Sequence, residues 1–475
     1  MKQRLTASIL LFAMLAAVSC GSETAGEDTT APADTTTAET TEDNFVYDDL
    51  PEQDFGGAAF NMLTTSWYIA ADSIYAESQN GDVLNDALYE SRRSVEERFN
   101  VEIKLQVEAD PTTTLLPGII HNMVMAGDST YHLIYNHDVS TVKNALQGDF
   151  KNIRGLPNIN FDKPWWNGTS ENFTIDGKLL FTGNCLATSS IFMNYLLAFN
   201  KTMAESYSIE IPYDDVIAGN WYMDDLIALT QDMRVDLDGN SKFNENDQYG
   251  ISVYRYSVMG LQSDLGGDMA VNDGSGLVLN TDIEKLSTIV EKVRALTDFA
   301  YYDSNSKCAE AFANGNILFL LTEGSFLTNT VRQSNVVYGI LPVPKLDENQ
   351  ENYRASGCDI YWAVPKTAEN PEMIGTVIEA VCCQNYNNVI PQVWETVLGR
   401  KLADSEEDAA MFEIMRDIQY VDIGFAFSGE SSGLDSLVFL AATARPGKVV
   451  SYIDSYKNNA LSGIDKINAF YRDFE

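Results

Sequence analysis

The stretch VDLDGNSKFNENDQYG, Val235–Gly250, spaces carboxylate and amide oxygens as a calcium-binding loop does. Counted from Asp236, Asp238 falls at position 3, Asn240 at 5, Lys242 (through its carbonyl) at 7, Asn244 at 9 and Asp247 at 12. Those are the ligand positions of a twelve-residue loop that wraps a hard cation in oxygen. Two positions depart from that pattern. Ser241 stands where the turn glycine is expected, and Asp247 replaces the bidentate Glu. Such a loop binds weakly, on the order of 10⁻⁴–10⁻³ M, or serves as a solvated acidic turn with no ion at all. The residues after it, GISVYRY (Gly250–Tyr256), read as a strand, so there is no helix pair for calcium to open. The chemistry is that of a structural clip, not of a sensor.

A clip needs a scaffold, and hydrophobic periodicity describes one. Ala58–Thr65 reads as a strand, Asp82–Phe99 as a helix with Leu84, Leu88, Val95 and Phe99 on one face, and Val101–Val107 alternates as a strand. A helix over Leu115–Ala126 leads to a strand over Tyr131–Tyr135. This alternation predicts an α/β lobe with a largely parallel sheet. Thr281, Asp282, Ile283 and Glu284 form a capping-box signature opening a helix that aligns Leu286, Ile289, Val290 and Val293. Asn370 and Pro371 cap and start another, carrying Ile374, Val377, Ile378 and Val381. Short strands fall between them at Ile317–Leu321, Val337–Leu341 and Ile360–Val364.

The whole chain, 475 residues with 45% hydrophobic and 21% charged, is long enough for two to three domain-sized units with a full core. Its 69 acidic against 31 basic residues leave a formal net charge of −38. That field repels phosphate backbones, which excludes nucleic acid as a partner, and it attracts divalent cations. Besides Cys20 there are Cys185, Cys308, Cys358, Cys382 and Cys383, with no C-x-x-C and only three histidines. Neither a disulfide framework nor a zinc site fits, and buried free thiols are expected.

At the N-terminus, Lys2 and Arg4 precede an apolar run from Leu5 to Val18, too short for a spanning helix and right for an export signal. Ala17-Val18-Ser19-Cys20 resembles the lipobox of bacterial lipoproteins, with Ala17 where Leu is usual. The resemblance implies cleavage before Cys20 and lipidation of its thiol; a plain secretory signal is the alternative. Gly21–Asp43, built from Ser, Thr, Ala, Glu and Asp, has too few large apolar residues to fold and reads as a tether.

Several segments further on resemble the extracellular solute-binding proteins of ABC importers, in the class that carries oligosaccharides. They are LLAFNKTMAES (Leu196–Ser206), IPYDDVIAGNWYMDDLIALTQDM (Ile211–Met233), AFANGNILFLLTEGSF (Ala311–Phe326), VVYGILPVPK (Val336–Lys345) and GCDIYWAVPKTAENPEMI (Gly357–Ile374). GDVLNDALYESRRSVEERFNVEI (Gly81–Ile103) and GDSTYHLIY (Gly127–Tyr135) fit the first lobe of the same family. The resemblance implies an α/β, two-lobe periplasmic-binding-protein-like fold (type II), with lobes joined by crossover hinge segments. It divides the chain into a signal peptide (1–19), a lipidated tether (20–46), lobe 1 (47–184 with 360–422) and lobe 2 (185–359 with 423–475). It further implies a lipid-anchored monomer on the outer face of a bacterial membrane, passing a captured solute to ABC permease subunits.

Sugars present apolar ring faces and a rim of hydroxyls, so a site for them needs aromatic faces together with carboxylate, amide and hydroxyl groups. Placed on the family's pattern, Thr65 and Trp67 follow the first strand, and Asn136, His137 and Asp138 form the first-lobe polar loop. Ser190 lies in the first crossover, while Glu323 and Phe326 end a second-lobe strand, with Phe in place of the usual Trp. Trp362 lies on the second crossover and Phe427 on the third. Packing is as open as ligand contact for Trp67 and Trp362, and a solvated carboxylate is as open for Asp138 and Glu323. Trp221 is assigned to the core; Trp165 and Trp166, after a Pro, either line the cleft or anchor the lobe, with the structural role favoured; His121 and His132 are assigned to structure.

A secreted lipoprotein glycoside hydrolase is the rival class, needing two carboxylates across a cleft. A chain with 69 acidic residues always supplies some pair, so acidic content does not discriminate. No G-x-S-x-G, H-E-x-x-H, G-x-x-x-x-G-K or G-x-G-x-x-G occurs. A sensor or adhesin subunit sharing the fold is the third class. No cofactor is required beyond the structural calcium that the loop suggests.

Overall fold

Two open sheets carry the chain. The computed structural model describes residues 45–475 apart from 167, 281, 395–404, 430–436, 445–448 and 475. The expected signal peptide, Cys20, nearly all of the tether, and Thr281 lie outside the described residues. In chain order the strands are β1 (Ala58–Thr65), β2 (Val101–Glu108), β3 (Leu133–His137), β4 (Tyr195–Asn200), β5 (Tyr249–Val253) and β6 (Ala270–Asn272). They continue with β7 (Leu277–Leu279), β8 (Tyr301–Tyr302), β9 (Ile317–Glu323), β10 (Tyr338–Leu341) and β11 (Ile360–Ala363).

The first sheet has the order β11-β3-β1-β2, with β1 parallel to β2 and β3, and β11 antiparallel to β3. The helix Val83–Phe99 links β1 to β2. Asp82 caps it by accepting from Leu84 N and Asn85 N, and Asn100 ends it in the left-handed region at φ 50. Leu88, Val95 and Phe99 are buried on its inner face, each contributing about 1.5–3 kcal/mol by leaving water. The second sheet has the order β10-β4-β9-β5-β8, with β4 antiparallel to both neighbours and β5 parallel to β9 and β8. The helix Ile283–Thr297 buries Leu286, Ile289, Val290 and Val293 against it, as its periodicity predicts. The β6–β7 hairpin clasps the first lobe, where the Asn272 amide donates to Asn172 O (2.7 Å) and Thr174 O (2.8 Å).

Four boundaries differ from the sequence reading. β3 starts at Leu133 and runs to His137, because its register with β1 sets Leu133 beside Met62. The strand after the acidic loop stops at Val253, and Arg255 begins a helix whose Ser257 hydroxyl accepts from Tyr254 N (3.1 Å). Asp282 caps the helix at Ile283 by accepting from Lys285 N, one residue on from the Thr that opened the expected capping box. The helix Glu406–Asp417, expected in the first lobe, packs on the second: Asp408 accepts from Lys201 Nζ (2.5 Å) and Tyr213 OH (2.7 Å). Its apolar stripe of Met411, Phe412 and Met415 completes the second lobe's core.

Between the sheets, three segments run side by side. Tyr195 N donates to Ser356 O (2.8 Å), Ala355 N to Ile418 O (2.9 Å) and Tyr420 N to Ala355 O (3.0 Å). Gly357 lets the first two approach: a Cβ there would lie 2.1 Å from Met193 O, a backbone atom that cannot yield. On the first-lobe side Thr182 bridges to Trp362, so the crossovers continue the first sheet beyond β11. These segments are the hinge.

Candidate ligand site

Strand order decides which groups face each other across the hinge. β11 edges the first sheet beside β3 and β4 enters the second sheet from the crossovers, and the segment after β1 meets the segment after β9 where Tyr68 stacks on Phe326. Ligands of open α/β sheets bind at such strand ends. After β1 come Trp67 and Tyr68, the latter held at φ 40 and 45% exposed. Trp67 sets its edge against the His137 ring at 4.9 Å, and Tyr68 stacks on Phe326 of the second lobe at 5.8 Å. The aromatic faces of both lobes are therefore in contact.

Beneath the rings lies an acidic cluster. His137 Nδ1 is 2.6 Å from Asp138 Oδ1. Burial pulls the imidazole's pKa down, but the charge and hydrogen bond of Asp138, with help from Asp359 and Glu323, outweigh it and the net shift is upward. Glu323 is pushed up to about 7, first by burial, while Tyr254 OH and Ser325 Oγ donate to it. Asp359 is also pushed up to about 7 by burial, and it accepts from Ser189 Oγ (2.6 Å) and Ile360 N (2.7 Å). Asp138 Oδ2 and Asn136 Nδ2 are buried without a hydrogen-bond partner among the described residues. Orphaned polar atoms in a buried cluster are the mark of a site that a ligand completes.

Of the sequence-predicted residues, Trp67, Asn136, His137, Asp138, Glu323 and Phe326 are brought together here. Three are not. Thr65 is fully buried and its hydroxyl donates to Asp110 O (2.9 Å) while accepting from Trp67 N (2.7 Å), so it shapes the loop that carries Trp67. Trp362 is fully buried, its indole N–H donating to Asn184 Oδ1 (3.0 Å) and its ring packed on Trp166. Phe427 packs between Phe181 and Tyr471 in the core. Ser190 lines a cavity beside the crossovers together with Asn194 and Asp359. Tyr68, Tyr254 and Asp359 were missed. Tyr68 comes three residues after β1, Tyr254 directly follows β5 and Asp359 directly precedes β11, so nearness to a strand end is the signal that could have found them.

In the acidic loop, carboxylate oxygens of Asp236, Asp238 and Asp247 all lie within 4.8 Å of one another. Asp236 accepts from Ser241 N (2.7 Å) and Gly239 N (2.8 Å), bonds that lower its pKa. Asp247 is fully buried and accepts from Leu237 N (2.9 Å) and Asn244 N (2.8 Å). Ser241 adopts φ 61, the conformation a turn glycine would have supplied. Asn240 and Asn244 turn their side-chain oxygens to Lys242 N (2.7 Å) and Asn246 N (2.9 Å). The donor set is all oxygen, which fits a hard cation.

Trp221 and Trp166 are buried, with indole N–H groups on Pro342 O (3.1 Å) and Glu379 Oε2 (2.8 Å). Cys308, Cys382 and Cys383 are buried free thiols, and Cys185 and Cys358 are half-buried ones. No described helix is long and apolar enough to cross a membrane.

No family model matches the chain, and no curated protein matches it in sequence. Solved structures do match in fold. The galacto-N-biose-/lacto-N-biose I-binding protein of the ABC transporter from Bifidobacterium longum, solved with lacto-N-biose, is 13% identical with a TM-score of 0.54, over 88% of this chain and 99% of that one. The GacH receptor of Streptomyces glaucescens, solved with acarbose, is 12% identical with a TM-score of 0.52, over 88% and 100%. An ABC substrate-binding protein from Listeria monocytogenes, solved with cycloalternan, is 14% identical with a TM-score of 0.50, over 87% and 98%. The chain has the two-lobe α/β fold of ABC solute-binding proteins.

Proposed function

We propose that the chain is an extracytoplasmic solute-binding lipoprotein that captures an oligosaccharide between its lobes and delivers it to an ABC permease. The observation that carries this reading is the meeting of Trp67, Tyr68 and Phe326 over the buried Asn136–Asp138–Glu323 group, with ring faces from both lobes and unpartnered polar atoms between them. Aromatic faces take the apolar sides of a sugar, and the carboxylate and amide atoms take its hydroxyls. A solute that touches both lobes favours the closed arrangement by its differential affinity, and the closed form is what the permease reads. Cys20 anchors the chain by lipid, the tether spaces it from the membrane, and ATP is hydrolysed on a separate subunit.

A saccharide panel tests this. The expected result is stoichiometric binding with thermal stabilisation, compaction in X-ray scattering, and no new reducing ends. Turnover of the sugar would establish the hydrolase instead, and binding without compaction would remove the closure mechanism.

We further propose that the Asp236–Asp247 loop takes calcium as a clip within the second lobe. Asp236 and Asp238, with the buried Asp247, would hold the ion. Millimolar calcium should raise the unfolding temperature, and Asp236→Ala should remove that shift while leaving solute affinity within about twofold. A large loss of solute affinity in that variant would put the loop in the ligand site.

A further inference from the structure

Among the described residues five cysteines are free thiols, and two of them meet. Cys185 stands at the start of the first crossover, directly after Asn184, and Cys382 lies in the last turn of the helix Pro371–Gln384. Cys185 Sγ donates to Cys382 O (3.4 Å), and the Asn184 amide donates to Cys382 Sγ (3.4 Å). The segment is pinned there on both sides: Asn385 Nδ2 donates to Cys185 O (2.8 Å), and Trp362 Nε1 donates to Asn184 Oδ1 (3.0 Å). The two thiols also act on each other. Burial first, and the Cys185 thiol next, hold the Cys382 thiol well above its ordinary pKa, while the Asn184 donor pulls the other way.

Adjacency in sequence would pair Cys382 with Cys383, but successive helical residues point about 100° apart. Cys383 Sγ accordingly donates to Val46 O (3.4 Å) on another face, and burial pushes that thiol up to about 12. Cys308 is spent elsewhere, donating to Val253 O (3.3 Å) in the second lobe. Access divides the remaining pair. Cys382 is fully buried, whereas Cys185 is half-buried and lines the cavity beside the crossovers. A thiol that a reagent reaches first, with a second thiol behind it, is the arrangement of an attacking and a resolving cysteine.

We infer that Cys185 and Cys382 form a reversible disulfide, a redox-sensitive clasp between the first crossover and the helix Pro371–Gln384. The oxidant is a low-molecular-weight disulfide. Cys185, as thiolate, attacks one of its sulfurs, expels one thiolate and is left as a mixed disulfide. Cys382 then attacks the Cys185 sulfur and expels the second thiolate. The protein loses two hydrogens, its two protons pass to the departing thiolates, and the reagent disulfide is reduced to two thiols. The Asn184 amide, already donating to Cys382 Sγ, favours the thiolate that the second step needs. Because the helix packs on Val83–Phe99, the bond fixes the start of the crossover to the body of the first lobe. The inference does not depend on what binds between the lobes.

The test incubates the reduced full chain with oxidised glutathione and reads intact mass and peptide maps. The expected product has lost two hydrogens, carries a link between Cys185 and Cys382, and returns to its starting mass with dithiothreitol. Cys382→Ala should stop at a glutathione adduct on Cys185, and Cys185→Ala should slow modification of Cys382 about tenfold or more. Cys383→Ala should form the link as the wild type does, which separates the neighbouring cysteines. The inference is overturned when the wild type keeps the adduct without forming the link, when neither thiol reacts, or when either is joined to Cys383 or Cys358 instead. Should Cys382→Ala fail to fold, the wild-type map and Cys185→Ala decide.

Discussion

Raising the pH from about 5 to about 8 lowers the unfolding temperature of the ligand-free protein by several degrees, because buried carboxyls must give up protons inside the fold. Glu323, Asp359, Asp422 and Glu379 are each pushed up to about 7, with burial the largest cause in every case. The unfolded chain releases those protons near pH 4, the folded chain near pH 7. Stability from these groups is therefore full below the unfolded value and lost as pH rises through 7. Ionising Asp359 in place, from an ordinary 3.8 to about 7, costs on the order of 4 kcal/mol. His137, whose pKa is raised, acts in the same direction; His132, whose burial lowers it, opposes them. The carboxylates held low, such as Asp49, Asp54 and Asp110, lose their contribution only as pH falls below 4, outside this window. Scanning fluorimetry across the range checks the slope, and Glu323→Gln should flatten it. A midpoint that is flat or rises toward pH 8 would mean that these carboxyls are solvated in the fold.

The second large effect is on affinity. Phe326→Ala removes the only second-lobe ring that reaches Tyr68 among the described residues, and the solute should bind about 30-fold more weakly, roughly 2 kcal/mol. Trp67→Ala should do comparably, since it also frees His137 from its ring contact at 4.9 Å. Trp362→Phe is the contrast. It deletes the indole bond to Asn184 within the core and should lower the unfolding temperature while affinity holds. Calorimetric titration of all three variants separates the roles. If Trp362→Phe lost more affinity than Phe326→Ala, the assignment of ring faces to the strand ends would be wrong.

Local pattern carried the scaffold further than the site. The helix Val83–Phe99 and strands β1 and β2 were legible because period and caps are local properties, and Asp82, Asn100 and Asn370 act where their types suggest. The stretch over Glu406–Asp417 was misplaced because an apolar stripe says that a helix packs, not on which lobe. The same limit divides the site residues. Trp67 and Trp362 are chemically identical, yet one stands just past the end of β1 and the other inside β11, fully buried. Asp359 was overlooked because nothing around it in sequence distinguishes it from other acidic residues. What marks it is the burial that the crossovers impose.

β11 lies against β3 with Ile360 opposite His137, two residues far apart along the chain. Until the ribosome has made residue 363, the outer edge of β3 has no strand beside it, and the loop carrying His137 and Asp138 has no neighbour from the hinge. Glu323, Phe326 and Asp359 also come from the later part of the chain. The bond between Asp138 N and Asp359 O is therefore formed late in biosynthesis, and a polypeptide stalled short of Asp359 holds every strand of the second sheet while β3 still lacks β11.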